Sequence, residues 1–404
     1  MDKFIKWQKN TLPKSNNLDC TKILSKEEVS RARKFHESFP EYTMTPLVNL
    51  KNLSKRLGLG GIYLKDESYR FGLNAFKVLG GSFAMGRHMA EKLNMSIENL
   101  GYHELTSDEI RNKIGDITFY TATDGNHGRG VAWTANRLKQ KSVVYMPKGS
   151  SQFRLNAIRN EGAEASITEM NYDDAVRLAA SEADKNSGLM VQDTAWEGYE
   201  KIPTWIMQGY GTMALEASEQ LKGYGVEAPT HVFVQAGVGS LAGGVQGVVH
   251  NLYGDKVKTV IVEANLADCL YRSALAGHGK PVAVGGDMQT IMAGLACGEA
   301  NIISWEILRN HSDTFVSAPD WLAATGMRVL GNPLKGDNQV ISGESGAVTA
   351  GLLYELMTND EYKELKESLG LDENSRVLLF STEGDTDPDK YREIVWFGTH
   401  RKED

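Results

Sequence analysis

Residues 116 to 140, DITFYTATDGNHGRGVAWTANRLKQ, decide the fold. The stretch opens on a β-branched and aromatic run, Asp116 to Thr121. It passes through a turn of small polar residues and becomes an amphipathic segment of helical length. Strand, glycine-bearing turn and helix in that order make half of a βαβ unit. The alternation continues through SVVYMP (142–147), SQFRLNAIRNEG (151–162), AEASITEM (163–170) and YDDAVRLAASEADK (172–185). It resumes with LMVQD (189–193), a helix after Pro203, HVFVQAG (231–237), a helix after Gly244 and TVIVEA (259–264). RVLLFSTEGD (376–385) is a further apolar strand entering a polar turn. The pattern predicts parallel strands joined by helical crossovers, an α/β fold whose ligands lie at the carboxyl ends of the strands.

Asp124, in the middle of TATDGNHG (121–128), is anomalous. Small residues opening a helix hold anions through backbone N–H groups and the helix dipole, so a carboxylate there repels the expected ligand. Either Asp124 is a helix N-cap, for which Asp is favoured, or it has a chemical role.

Bulk composition narrows the classes. Among 404 residues, 44 basic and 52 acidic side chains give a net charge of −8, with no basic arm or stripe, which argues against nucleic-acid and anionic-membrane partners. Met1 to Asn10 lacks the apolar region of a signal peptide, and no apolar run is long enough to cross a bilayer, so a cytoplasmic location is expected. Cys20, Cys269 and Cys297 show no CxxC spacing, so no metal site and no disulfide scaffold are expected. A redox-sensitive Cys269/Cys297 pair is a separate possibility that thiol counting tests.

Four stretches carry candidate chemistry. NAFKVLGG (74–81) places Lys77 among apolar neighbours at the start of a helix, as a snorkelling surface lysine or as an amine whose lowered pKa suits attack on a carbonyl cofactor. QAGVGSLAGG (235–244) follows a strand and precedes a helix. Its Gly237 and Gly239 allow close approach of a compact phosphate, and Ser240 adds a hydroxyl. Because the next glycine after Gly239 is Gly243, GxGxxG is not met, and no Lys-Ser/Thr pair marks a P-loop. A dinucleotide-dependent dehydrogenase is thereby disfavoured. Thr123, Gly125, Asn126 and His127 are placed to grip a carboxylate or ring hydroxyl. STEGDTD (381–387) offers Ser381 and Thr382 for a ring nitrogen.

Taken together and in order, from Lys65 to Asp387, these stretches resemble the fold type II family of pyridoxal-phosphate enzymes, which includes threonine dehydratase, cysteine synthase and tryptophan synthase β. The resemblance implies that Lys77 forms the internal aldimine with pyridoxal 5′-phosphate. Gly237, Val238, Gly239, Ser240 and Leu241 then hold the phosphate, and Thr123 through Gly128 hold the substrate carboxylate. Asn126 reaches the cofactor 3′-hydroxyl, and Thr382 or Ser381 meets the pyridine nitrogen. Most of the family has a small hydroxyl residue where this chain has Asp124. The version TDGNHG, with NAFKVLGG, QDTAWEGY (192–199) and STEGDTDP (381–388), is similar to the branch of ammonia-lyases acting on 2,3-diamino acids.

That likeness implies α,β-elimination of both isomers of 2,3-diaminopropionate to pyruvate and two ammonia by way of aminoacrylate. Lys77 is then the base for one face of the substrate and Asp124 for the other. Asp193, in VQDTAW, is either a partner of the departing β-amine or an N-cap for the segment after Thr194. Glu344, in ISGESGAVTAG (341–351), is either an acid near the ring or a charge favouring a helix N-terminus. A serine or threonine dehydratase and a catalytically silent cofactor-binding protein are the alternatives. The expected architecture is two open twisted-sheet α/β domains: a large one of residues 1–86 plus 190–404, and a small one of residues 87–189. The expected partners are a small amino acid and a second copy in a homodimer.

Overall fold

The computed structural model describes residues 4–17, 19–123 and 125–402. Asp124 lies outside the described residues. Seven strands precede the long central helix: β1 (Lys6–Lys9), β2 (Leu47–Asn49), β3 (Gly61–Asp66), β4 (Thr118–Ala122), β5 (Lys141–Met146), β6 (Glu164–Ile167) and β7 (Leu189–Met190). Four follow it: β8 (His231–Gln235), β9 (Lys258–Ala264), β10 (Thr314–Ala318) and β11 (Arg376–Ser381). One sheet has the order β1-β10-β9-β8-β11-β3-β2, and the other β6-β5-β4-β7. Edge strands β1 and β2 run antiparallel to their neighbours, while every other pairing in both sheets is parallel. Helices cover the parallel strands, which is why β8 and β10 are buried along their whole length and read as unbroken runs rather than as alternation.

The β4 strand and the helix Asn126–Arg137 occupy the stretch predicted to be strand, turn and helix. LMVQD contributes only a two-residue strand. Beyond it, the Gln192 side chain replaces the ladder: its Oε1 accepts from the Thr121 hydroxyl at 2.8 Å and from the Ala122 N–H at 3.1 Å. The helix expected after Pro203 begins earlier, at Lys201, with Pro203 in its first turn, where the missing N–H is harmless. Strands β1 and β2 have four and three residues, too short for a periodicity signal. Among the described residues, no helix is long and apolar enough to cross a membrane.

Two contacts fix the segment that carries Lys77. The 23-residue helix Lys201–Gly223 packs against the helix Val78–Lys92, and at their crossing Gly209 lies against the backbone. A Cβ there would sit 2.3 Å from the Leu79 carbonyl oxygen, so only hydrogen fits.

The second contact is a charged cluster with no exposed side chain: Lys65, Glu67, Arg70 and Glu216. Glu216 receives Arg70 at 2.7 and 3.0 Å, Lys65 at 2.7 Å and the Tyr42 hydroxyl at 2.7 Å. Burial raises the Glu216 carboxyl, but Arg70 and Lys65 outweigh it and hold the group at about 2. Such a cluster is poor evidence of net stabilisation, yet removing one member strands the others without compensation. Glu216→Ala, leaving Arg70 and Lys65 facing Glu67 alone, is therefore expected to lower unfolding free energy by about 3–5 kcal/mol in urea titrations. A loss under about 1 kcal/mol would show that the cluster is solvated.

Candidate active site

The carboxyl ends of β3, β11 and β8 lie side by side, because β11 pairs with both of the others. Each end feeds one wall of a cleft. After β3 the chain turns through Glu67–Gly72 and hooks onto the end of β11: Ala75 bridges Glu383, and the Phe76 N–H donates to the Thr382 carbonyl at 3.0 Å. Lys77 follows, immediately before the helix Val78–Lys92, and lines the cleft.

The Lys77 ammonium donates to Asp193 Oδ2 at 2.7 Å, with the two side chains 17% and 3% exposed. Tyr210, from the central helix, also reaches Asp193 Oδ2 at 3.4 Å. Burial pushes the Asp193 carboxyl up. Lys77 and His127, with the hydrogen bonds from Lys77 and Tyr210, outweigh that and hold it at about 2. Asp193 does not end a strand, since β7 stops at Met190, and it caps no helix, since the next one begins at Lys201. The N-cap reading is thereby corrected. Asp193 is carried on irregular chain and turned toward the lysine.

Gly237, Val238, Gly239, Ser240 and Leu241 form the facing wall, at the start of the helix Ser240–Tyr253. Gly239 has φ +97°, a left-handed conformation, and a Cβ built there would stand 2.9 Å from Ser304 Oγ. First-turn amides have no partner within any helix, so this turn presents N–H groups and the positive dipole end to the cleft. The Ser240 hydroxyl is used internally, donating to the Asp193 carbonyl and accepting from Asn301 Nδ2 at 2.8 Å. It ties the loop to the Asp193 segment.

Beyond β11 the two hydroxyls separate. Thr382 lines the cleft, whereas Ser381 Oγ is 2.8 Å from Ser342 Oγ, behind the wall. Gln235 Nε2 donates to Thr382 Oγ1 at 2.9 Å, and Thr382 Oγ1 donates to Glu383 Oε2 at 2.7 Å. Glu383 also accepts the Gly346 N–H at 2.8 Å. Burial pushes its carboxyl up to about 7, against those two hydrogen bonds. Glu344 is buried at the start of the helix Glu344–Thr358, and burial raises it too, but its neighbour Ser345 lines the cleft instead.

In the TATDGNHG loop, Thr123 Oγ1 accepts from the N–H groups of Gly125 at 2.9 Å and Gly128 at 3.1 Å, fixing the turn. Asn126 lines the cleft and a neighbouring cavity that also holds Gly125, Arg129 and Arg154. His127 is buried with Nε2 2.8 Å from the Val191 carbonyl oxygen. No disulfide joins the three cysteines, which are all buried, with Cys297 in the cleft wall.

The structure thus gathers Lys77, Asp193, Asn126, residues 237–241 and Thr382 around one space, and sets Ser381 behind it. Tyr210, Gln235, Leu295, Cys297 and Glu383 were not anticipated there. Gln235 had a signal, a lone amide closing the apolar strand HVFVQ. Tyr210 had none, being one apolar-face residue of a long helix.

An amine for a carbonyl group, a glycine-lined helix start for a phosphate and a hydroxyl opposite both suit pyridoxal phosphate. A family model described as pyridoxal-phosphate dependent enzyme matches residues 39–381, and the chain belongs to that family. Over 401 residues it is 54% identical to the diaminopropionate ammonia-lyase of Salmonella typhimurium, covering 98% of this chain and 99% of that protein. The crystal structure of holo diaminopropionate ammonia lyase from Escherichia coli superposes with a TM-score of 0.92 at 48% identity, covering 99% of both chains. The same enzyme in complex with an aminoacrylate-PLP azomethine reaction intermediate gives 0.90 at 48% identity, covering 99% of both chains.

Glu383 yields a pH test. Because its folded pKa is raised from 4.5 to about 7, the folded protein binds more protons than the unfolded chain in that window, and stability falls as pH rises through it. Relative to Glu383→Gln, the wild type is expected to lose roughly 3 kcal/mol between pH 4.5 and pH 7.5 at about 1.4 kcal/mol per pH unit. Parallel stability curves from denaturant titrations across this range would contradict the assignment.

Proposed function

We propose that this chain is a pyridoxal-phosphate-dependent ammonia-lyase that eliminates ammonia from both isomers of 2,3-diaminopropionate. The observation that carries the proposal is the Lys77–Asp193 pair in the cleft wall. A carboxylate held ionised beside the reactive amine suits a substrate that brings a second, cationic amino group. The near-full-length likeness to diaminopropionate ammonia-lyases supports the same substrate.

In this reading, residues 237–241 hold the cofactor phosphate, Asn126 its 3′-hydroxyl and Thr382 its ring nitrogen, while Lys77 attaches it. When bound, the cofactor supplies an electron sink for charge developing at the substrate Cα. Residues 123–128 orient the substrate carboxylate, with Thr123 acting through the loop it pins. Asp193 pairs with the β-ammonium. Lys77 removes the Cα proton from one face. Asp124 removes it from the other, an assignment that rests on the sequence TDGNHG because this residue lies outside the described ones. The Cα–H electrons become the Cα=Cβ bond, and the Cβ–N pair departs with ammonia. The enamine released, 2-aminoacrylate, reacts with water to give pyruvate and a second ammonia.

We assign residues 1–86 plus 190–404 to a large domain and 87–189 to a small one; the small sheet, whose strands run from Thr118 to Met190 and so end one residue past that boundary, supports the division. Family resemblance supports a homodimer, and composition supports a cytoplasmic location.

The test is turnover of D- and L-2,3-diaminopropionate separately, with D- and L-serine and L-threonine as comparators. Two ammonia per pyruvate are expected from both diamino isomers, well above the hydroxy amino acids. Activity confined to serine or threonine would make the chain a dehydratase. For Asp124→Asn, turnover of the D-isomer is expected to fall about 10²- to 10⁴-fold, the usual worth of a positioned base, with a smaller loss on the L-isomer. Equal losses would remove the two-face assignment.

A further inference from the structure

Far from the cleft, two helices end against each other. The helix Ser240–Tyr253 carries His250 in its last turn, and the helix Ile302–His311 ends on His311. The two helices pack together, and the imidazole centroids lie 3.8 Å apart at 37°. Asp255, on the turn just after the first helix, brings its Oδ1 to 3.3 Å from His250 Nδ1 and 3.9 Å from His311 Nδ1. All three ligand atoms lie within 4.8 Å of one another. Both Nδ1 atoms are shut off from solvent, and among the described residues neither completes a well-formed hydrogen bond, although both face Asp255; the His311 side chain is only 6% exposed. Two buried imidazole nitrogens aimed at one carboxylate without a bond to satisfy them call for a cation between them.

We propose that His250, Asp255 and His311 form a binding site for a first-row divalent cation of the zinc type. Two imidazoles and one carboxylate are a donor set that favours Zn²⁺ over Ca²⁺ or Mg²⁺, which prefer oxygen. At metal–ligand distances of about 2.0–2.2 Å, tetrahedral ligand atoms lie about 3.3–3.5 Å apart, so the His250–Asp255 separation already fits. The remaining adjustment falls to Asp255, whose side chain is 77% exposed and able to swing, and to the half-buried His250 ring, which turns so that its Nδ1 converges with that of His311. Both helix C-termini point their negative dipole ends toward this place, which further favours a cation. His250, 23% exposed, leaves a path of entry, and water completes the coordination. Cys20 Sγ lies 3.8 Å from His311 Nε2, on the opposite edge of the ring, and orients it without being a ligand.

Such an ion fastens the far end of the helix that opens at the glycine loop, about 15 Å away at 1.5 Å per residue. Its effect is expected in folding stability, since an ion that binds only the native state stabilises it by mass action. The sequence positions 250, 255 and 311 match no metal-ligand spacing, and only the packing of the two helices joins them.

The test uses the cofactor-loaded enzyme after treatment with a chelator. Calorimetric titration with Zn²⁺ is expected to show one ion per chain, with a rise in melting temperature. Co²⁺ is expected to give visible d–d bands of low-symmetry coordination. Asp255→Asn and His250→Asn, both on partly exposed positions, are each expected to weaken Zn²⁺ at least about tenfold and to abolish the Co²⁺ bands, with the fold verified by circular dichroism. Absence of Zn²⁺ binding, or an affinity that either substitution leaves unchanged, overturns the proposal.

Discussion

A lysine ammonium and an aspartate carboxylate held 2.7 Å apart, with the acid almost wholly out of water, attract strongly because little solvent screens them. Each alone would be costly to bury. The Lys77–Asp193 pair therefore survives only if both main-chain segments arrive at one point. Lys77 is brought there by the route from β3 past the end of β11. Asp193 is brought by irregular chain just beyond the small sheet. As the carboxyl stays ionised down to about 2, the pair's stabilisation is complete above about pH 4 and fades as pH falls toward 2.

Much of the surrounding structure serves that convergence. Gly209 lets two helix backbones touch at Leu79, two residues after the lysine, and the Glu216 cluster holds the turn between β3 and Lys77. On the other side, Ser240 and Asn301 bond the Asp193 carbonyl, so the glycine loop and the acid move as one unit. Binding a phosphate at the loop and a carbonyl at the amine thus uses groups already fixed relative to each other, which reduces the ordering that ligand binding requires.

The strand–turn–helix alternation was legible from residue 116 onward because helix-length amphipathic segments separate short β-branched runs, which in β8 and β10, covered on both faces, are unbroken. Lys77, Asp193, Asn126 and the 237–241 loop were legible because their motifs sit at strand ends. The sequence left open whether Ser381 or Thr382 faces the cleft. Adjacent residues at a strand end point opposite ways, and only the partner Ser342 shows which is inside. Glu383 went unnoticed because its significance lies in burial, not in its neighbours along the chain. The early stop of β7 was hidden for a similar reason, since Gln192 satisfies the backbone of β4 with its side chain.

Two lysines stand near the carboxyl end of β3, Lys65 buried and Lys77 half-buried, and only one is chemically competent. Lys65 has its three protons occupied by the Thr45 carbonyl at 2.6 Å, Gln220 at 2.8 Å and Glu216 at 2.7 Å, and so serves the fold. Lys77 opens on the cleft. Borohydride reduction of the pyridoxal-phosphate-loaded protein, followed by peptide mapping, tests the distinction directly. The reduced pyridoxyl label is expected on Lys77 at one per chain; a label on Lys65 or on surface lysines, or none, would show that Lys77 is not the reactive amine.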